Sequence, residues 1–472
     1  MAVRTRFSHL VIVLTSLAAA FGVVAWGIVR VSQEGLLGGI YLDAAQWCLA
    51  ASAIATLSAL AALAVHFRAY RGLGYLRDFA PLYLSLRHAL LDAKYSLTRH
   101  GVLGEYEELP KVSIDFSDDR ATATLRVENS IRFQTRLEDV DVSSALAGYI
   151  LERSYLTDDR NWLVCELVDA SVSLRLRFED FGEFERYSRD RCDGSHLFLD
   201  ARTTVPLSSA LVVGQTGSGK SYALYSLILQ LSAKGADLSL CDPKNSGVAA
   251  LGRAMGGPVG VETDEVISVL EGFVSQMTER KAEMGGLLSK SLDATYADFG
   301  LKPHVMVIDE YAALAYGLRT RDKKCRDHVA ELIASVVLQG RQLGFFIWLA
   351  MQKSDASLID TAMRENLPLV VVLGNAQPQT IVTAFGPGTD VPARNNAPGD
   401  GVFTEPHVAP TPKLVQFPDL AFLARGLGFL GGRGSCNDPR PHGAQPFSYH
   451  PSTAAHSDSR TDPSRKEVGK DD

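Results

Sequence analysis

The sequence predicts an α/β fold: a doubly wound, mostly parallel sheet carrying a phosphate-binding loop, preceded by a two-helix transmembrane hairpin and a small α+β adaptor. Three observations predict it. Two long uncharged runs stand in residues 1–67. The segment Gly214–Ser221, "GQTGSGKS", lies between an apolar β-like run and a helix-like run. From there to about residue 430, short apolar runs alternate with segments of helical periodicity.

Composition sets the outer limits. With 472 residues, 46% of them hydrophobic, the chain can bury a sizeable core, which excludes wholesale disorder. The formal net charge is -7, from 47 Lys+Arg and 54 Asp+Glu, so the total does not advertise a nucleic-acid binder. A local basic strip within an acidic protein still permits one. The six cysteines, Cys48, Cys165, Cys192, Cys241, Cys325 and Cys436, stand far apart with no CxxC, the pattern of a reduced protein without structural zinc.

The first element is the anchor, residues 1–67. Leu10 to Val29 is an uncharged run of 20 residues, and at about 1.5 Å per residue it reaches the roughly 30 Å of a hydrocarbon core. Ala44 to Val65 is a second uncharged run. Arg4 and Arg6 precede the first span and Arg68, Arg71 and Arg77 follow the second, whereas the connecting loop offers only Arg30. Basic residues favour the cytoplasmic side, so both termini and the phosphate loop are expected there, in a two-span cell-membrane protein. A cleaved signal peptide is the competing reading; the first run exceeds the usual signal-peptide core.

Residues 68–205 read as a juxtamembrane helix and the adaptor. The pattern to about His100 is helical. "KVSIDF", "ATATLRVE", "WLVCELVD" and "SVSLRLRFED" then alternate as half-buried strands do, and Val142 to Leu156 reads as one helix capped by Asp141 or Ser143. The acidic stretch "FEDFGEFERYSRD" reads as a solvated linker face.

Residues 206–430 are expected to form an ATPase motor domain. Gly214-Gln215-Thr216-Gly217-Ser218-Gly219-Lys220-Ser221 fits GxxxxGK[ST] between a strand and a helix. Its glycines let backbone N–H groups turn toward phosphate oxygens at a helix N-terminus. Lys220 is expected on the β- and γ-phosphates of ATP and Ser221 on Mg2+. "HVMVIDEYAAL" supplies a buried strand ending in acids: Asp309 to hold Mg2+ and Glu310 to polarise the attacking water. Further strands are expected at "DLSLC", "FFIWLAMQ" and "LPLVVVLG", and helices at Thr263–Met284 and Asp327–Leu343. Residues 431–472, rich in Pro, Ser and Asp, are expected to be disordered.

Six motifs in order resemble the FtsK/SpoIIIE DNA translocases, hexameric RecA-like P-loop motors of the HerA/FtsK superfamily. They are "GQTGSGKS", "DPK" at Asp242–Lys244, "FVSQMTERKAEM", "VMVIDEYAAL", "GRQLGFFIWLAMQKSD" and "MRENLP", closing with "APGDGVF" at Ala397–Phe403. The resemblance implies that Gln352 is the polar sensor facing the γ-phosphate and that Arg341, with Arg364 next, completes a neighbouring subunit's site in a homo-hexamer. Arg341 reads equally as a cation answering a helix dipole, and Lys244 as steadying either the nucleotide or a neighbouring loop. "AMQKS" departs from the family's ATQRP, which puts the loop after the sensor in doubt.

Two spans, a small adaptor, a single motor and about 70 residues after "GDGVF" look most like the TcpA-type coupling proteins of Gram-positive mobile elements. That resemblance implies sequence-independent DNA binding, single- or double-stranded, with a relaxase and conjugation-channel proteins as partners. A partition translocase of duplex DNA usually carries a winged helix, which is not found here. A type VII-like protein-secretion ATPase usually has tandem modules. A degenerate scaffold fits poorly with Lys220, Ser221, Asp309 and Glu310 all in place.

Overall fold

The computed structural model describes residues 6–33, 40–101, 104–133, 137, 140–288, 294–354, 358–359 and 361–430. The tail expected to be disordered, 431–472, lies outside them. Helices α1 (Arg6–Gln33) and α2 (Ile40–His66) pack side by side. Gly22 lies against Ser52, whose hydroxyl donates to the Ala18 carbonyl at 2.8 Å, the small-residue contact typical of helices in lipid. Val11–Val31 and Ala44–His66 are long and apolar enough to cross a bilayer, and Val23, Trp26, Trp47 and Leu57 are exposed.

Helix α3 (Leu73–Asp92) buries Tyr75, Phe79, Leu82, Leu86 and Leu90, one stripe at helical spacing. After a ribbon of β1 (Leu97–Gly101) and β2 (Gly104–Glu108), four strands form an antiparallel sheet. They are β3 (Val112–Phe116), β4 (Thr122–Glu128), β5 (Tyr149–Leu156) and β6 (Trp162–Asp169), in the order β3-β4-β6-β5. One face of this sheet packs Ile114, Leu125, Val127 and Leu167 on the α3 stripe. The other face sends Val168 into the motor core.

Three expectations for this region are corrected. Val142–Leu156 is not a helix: a short 3-10 turn at Ser143–Ala145 ends at Ala147 and Gly148, whose φ angles of 48° and 97° break helical continuity. The Tyr and Ile residues that follow enter β5, an edge strand in which Tyr149 and Leu151 pack on the α3 core and Ile150 on the motor core. "SVSLRLRFED" forms only the two-residue β7 (Arg177–Phe178); the rest is an extended strap onto the motor. "FEDFGEFERYSRD" is no mere linker, because it folds as α4 (Phe181–Arg191), capped by Asp180 accepting from Gly182 and Glu183 N–H groups at 2.7 and 3.2 Å. Its acidic side chains do face solvent, while Phe181 and Phe184 are buried in the motor core.

A small hairpin, β8 (His196–Phe198) with β9 (Thr204–Pro206), leads into the motor. There follow β10 (Ala210–Gly214), α5 (Lys220–Ala233), β11 (Asp237–Cys241), α6 (Gly247–Met255), β12 (Val259–Gly260) and α7 (Thr263–Leu288). Then come β13 (His304–Ile308), α8 (Tyr311–Leu318), α9 (Lys323–Leu343), β14 (Phe345–Met351), α10 (Thr361–Glu365) and β15 (Leu369–Leu373). The motor closes with α11 (Pro378–Phe385), β16 (Asp400–Glu405) and β17 (Ala409–Gln416). The sheet order is β12-β11-β13-β14-β10-β15-β16-β17, parallel through β15 and antiparallel at the last two strands.

Strand alternation divides two cores. Phe346, Trp348 and Ala350 of β14 face α5 and α6, whereas Phe345, Ile347, Leu349 and Met351 face α7, α8 and α9. Trp348 is fully buried and its indole N–H donates to the Ser208 carbonyl at 2.8 Å, so its polar atom costs little. The doubly wound sheet places every parallel strand's C-terminal end along one edge, where ligand loops gather.

Candidate nucleotide site

The loop after β10 is shaped by glycine. Gly217 and Gly219 adopt φ of 84° and 88°, the left-handed region, and the Ser218 N–H closes a turn on the Gln215 carbonyl at 3.0 Å. Helix α5 starts at Lys220, so its first N–H groups lack intrahelical acceptors and its positive end faces the loop. The Ser218 hydroxyl is buried with no hydrogen-bond partner among the described residues. An orphaned donor beside unsatisfied N–H groups fits a phosphate group.

The acids arrive on β13. Register pairs Ile308 with Leu349 and Val213 with Met351, which brings Asp309, Glu310, Gln352 and Gly214 to the same edge. Asp309 and Lys220, 4% and 9% exposed, form a direct ion pair. Glu310, 5% exposed, accepts from Lys244 Nζ at 2.7 Å and from the Gln352 backbone N–H at 3.3 Å. Its φ of 66° is left-handed, a conformation costing a non-glycine residue about 1 kcal/mol or more and concentrated at functional sites.

Lys244 reaches Glu310 because Asp242 folds the "DPKNS" turn. The buried Asp242 carboxylate accepts from the N–H groups of Lys244 (3.1 Å), Ser246 (2.6 Å) and Ala249 (3.2 Å) and from the Ser246 hydroxyl (2.8 Å). Burial, aided by Asp309 and Asp242 nearby, pushes the Tyr225 phenol up to about 12, so it stays a proton donor. A Cβ on Gly247 would overlap that hydroxyl, which accounts for glycine at the start of α6.

The predicted residues divide in two. Gly214–Ser221, Asp309, Glu310 and the Gln352 backbone converge, although the Gln352 side chain is exposed. Arg341 does not join them: it sits exposed at the C-terminal end of α9, before β14 starts, at the opposite edge of the sheet. Its carbonyl accepts the Gly344 N–H of the helix cap. Arg364 donates to the Thr383 carbonyl at 3.1 Å and lines a cavity of about 680 Å³ beside Glu152 and Pro410. Two contacts escaped the sequence reading: Lys244 on Glu310, and Gly399 on the phosphate loop, whose N–H donates to the Ser218 carbonyl at 2.7 Å. The signal for the second was the "PGDG" turn within a motif noted only for its resemblance.

The acid strand β13 is separated from the loop strand β10 by one strand, β14, and this order with this loop defines a P-loop nucleotide-binding motor fold of the RecA-like kind. Within that class, 168 residues of the chain are 32% identical to the FtsK domain-containing protein YdcQ of Bacillus subtilis (strain 168). The match covers 36% of this chain and about a third, 34%, of that relative. No family model matches the chain. Among solved structures, the pCW3 conjugation coupling protein TcpA, a monomer form with ATPγS, aligns at TM-score 0.47 and 15% identity, covering 74% of this chain and 99% of that one. EssC ATPases 2 and 3 from Geobacillus thermodenitrificans align at TM-score 0.43 and 14% identity, covering 55% of this chain and 51% of that one.

Proposed function

We propose that this chain is a membrane-anchored, ATP-driven DNA translocase that works as a ring, and that it is the coupling protein handing DNA to a conjugative transfer channel. The observation that carries the reading is the two ion pairs at the loop, Lys220–Asp309 and Lys244–Glu310, in which both carboxylates are buried. A site that only stored nucleotide would not need a second buried carboxylate one residue past the first. The ordered motifs and the FtsK-type relative support DNA as the cargo.

Ser221 and Asp309 would hold Mg2+, which when bound supplies positive charge to the β- and γ-phosphates. Lys220 leaves Asp309 for the phosphates, and Glu310, released from Lys244, accepts a proton from water. Gln352 stands at the strand end as the polar sensor, and Arg341 of one subunit completes the next subunit's site, which makes a ring the working assembly. Helices α1 and α2 span the membrane with both termini and the motor cytoplasmic.

Turnover of the full-length protein in lipid nanodiscs, measured with single-stranded DNA, duplex DNA and no DNA, tests this. Stimulation by single strands supports the coupling role, stimulation by duplex alone favours a partition translocase, and stimulation by neither removes DNA as the cargo and raises protein secretion. If Arg341 acts on a neighbour, Arg341→Ala protein mixed with Lys220→Ala protein recovers turnover that neither has alone.

A further inference from the structure

The strap at residues 171–178 carries one side chain to the back of the phosphate-binding loop. Leu174 anchors it: the side chain is buried, its N–H donates to Gln416 Oε1 at 2.5 Å, and its carbonyl accepts from Ala201 at 3.0 Å. Arg175 Nη2 then donates at 2.7 Å to both Asp400 Oδ1 and the Pro398 carbonyl. Asp400, 4% exposed, also accepts from Gln416 Nε2 at 3.1 Å and from the Ala397 N–H at 3.2 Å, closing residues 397–400 into a tight turn.

At the tip of that turn, Gly399 is bonded to the Ser218 carbonyl and lies so near Gly219 that a Cβ on Gly219 would overlap its backbone. A Cβ on Gly399 would in turn meet the Arg175 guanidinium at 2.7 Å. Arg175, Gly399 and Ser218–Gly219 thus stack with no slack. Only four residues separate Asp169, the end of β6, from Leu174. The tether is short, and it opens with a turn in which the Val172 N–H donates to the Asp169 carbonyl at 3.3 Å and the Ser171 N–H to Asp169 Oδ1 at 2.7 Å, so it ties the strap closely to the end of β6.

We propose that Arg175 is a positioning residue: through it the strap leaving the adaptor presses the Pro398–Gly399 turn onto the phosphate-binding loop and sets how tightly that loop holds a nucleoside triphosphate. The inference rests on the nucleotide-site reading of Gly214–Ser221. Arginine suits the task because its rigid, planar guanidinium holds Nη2 between a carboxylate and a carbonyl, whereas a lysine ammonium ends a flexible stem.

The test is the Kd of a fluorescent ATP analogue, with kcat at saturating ATP, on the full-length protein in nanodiscs. Arg175→Ala is expected to raise Kd by about tenfold, the loss of one charge-assisted bonding pair, with kcat changed less than about threefold. Arg175→Lys recovers part of the affinity and covers the case in which the alanine variant fails to fold. Arg177→Ala, which removes pairs to Glu179 and Asp419 at the strap's outer edge, leaves Kd at the wild-type value. Adding Asp400→Asn to Arg175→Ala brings less than the sum of the two single losses, since the two share one contact while Asp400 also holds Gln416 and Ala397. An unchanged Kd in Arg175→Ala, or an equal loss in Arg177→Ala, overturns the proposal. If the wild type itself does not bind the analogue, the nucleotide-site reading fails instead.

Discussion

The nucleotide edge and the adaptor-facing edge of the motor both bury charge, but they hold it differently. At the adaptor edge each carboxylate is held several times over. Glu152 accepts both Arg202 Nη atoms at 2.7 and 3.1 Å and the Leu414 N–H at 3.0 Å. Asp200 takes the N–H groups of Arg202, Thr203 and Gln416. At the nucleotide edge Asp309 is paired with Lys220, and Glu310 with Lys244 plus one long backbone contact. A carboxylate with backbone donors stays put, because moving it strands N–H groups as well as a counter-charge. A carboxylate paired with one flexible lysine can exchange that partner for a ligand. The adaptor edge is built to hold and the nucleotide edge to let go.

The contrast is sharpest at Glu310. Glu310→Gln keeps the shape but removes the base, and turnover is expected to fall by at least about 100-fold while nucleotide binding persists. Phosphate release and nucleotide-binding assays separate the two; substantial residual turnover takes Glu310 out of the base role. On the holding side, Glu152→Ala strands a largely buried Arg202, with an expected cost of about 3–5 kcal/mol in urea unfolding. A loss below about 1 kcal/mol would mean the adaptor edge holds no more firmly than a surface pair.

Lys244→Met probes the releasing side more gently. The lysine side chain is 44% exposed, but its loss leaves the buried Glu310 carboxylate with only the Gln352 N–H, so stability should fall by about 1–3 kcal/mol. Turnover should move less than about tenfold, far less than for Glu310→Gln, and an equal loss would place Lys244 in the chemistry itself. The smallest effect concerns Lys234, a half-buried lysine bonded to the His196 carbonyl. Burial pushes its ammonium down from 10.5 to about 8. Below about 8 the amine is charged in both states; between about 8 and 10.5 the unfolded chain keeps a proton that the folded one has lost. Stability therefore rises with pH across that window. Thermal melts of wild type against Lys234→Met across that range check it, since the variant lacks the rise.

Much of the site was legible because its parts are local. The strand, glycine loop and helix of residues 210–233 carry their instructions within a few residues: apolar alternation, left-handed glycines, a lysine at the helix start. The same holds for β13 with Asp309 and Glu310. Val142–Leu156 reads as a helix because Val, Leu, Tyr and Ile at mixed spacing fit either a helix or an edge strand whose two faces meet different cores, and Ala147 can be read as helical until its φ is known. Phe181 and Phe184 read locally as part of a linker, since the core that receives them is assembled from distant strands.

By itself, then, the sequence determined the phosphate loop, the acid strand, the alternation that winds the sheet and the two apolar helices, all encoded by short-range periodicity and turn chemistry. The tertiary structure alone decided that Lys244 meets Glu310 across 66 residues, that Arg341 lies at the far edge, and that Arg175 and Gly399 stand behind the loop. The reason is physical. A side chain's partner is set by which strands lie adjacent and in what register, and that is fixed by burying two apolar faces at once, which no single segment can specify.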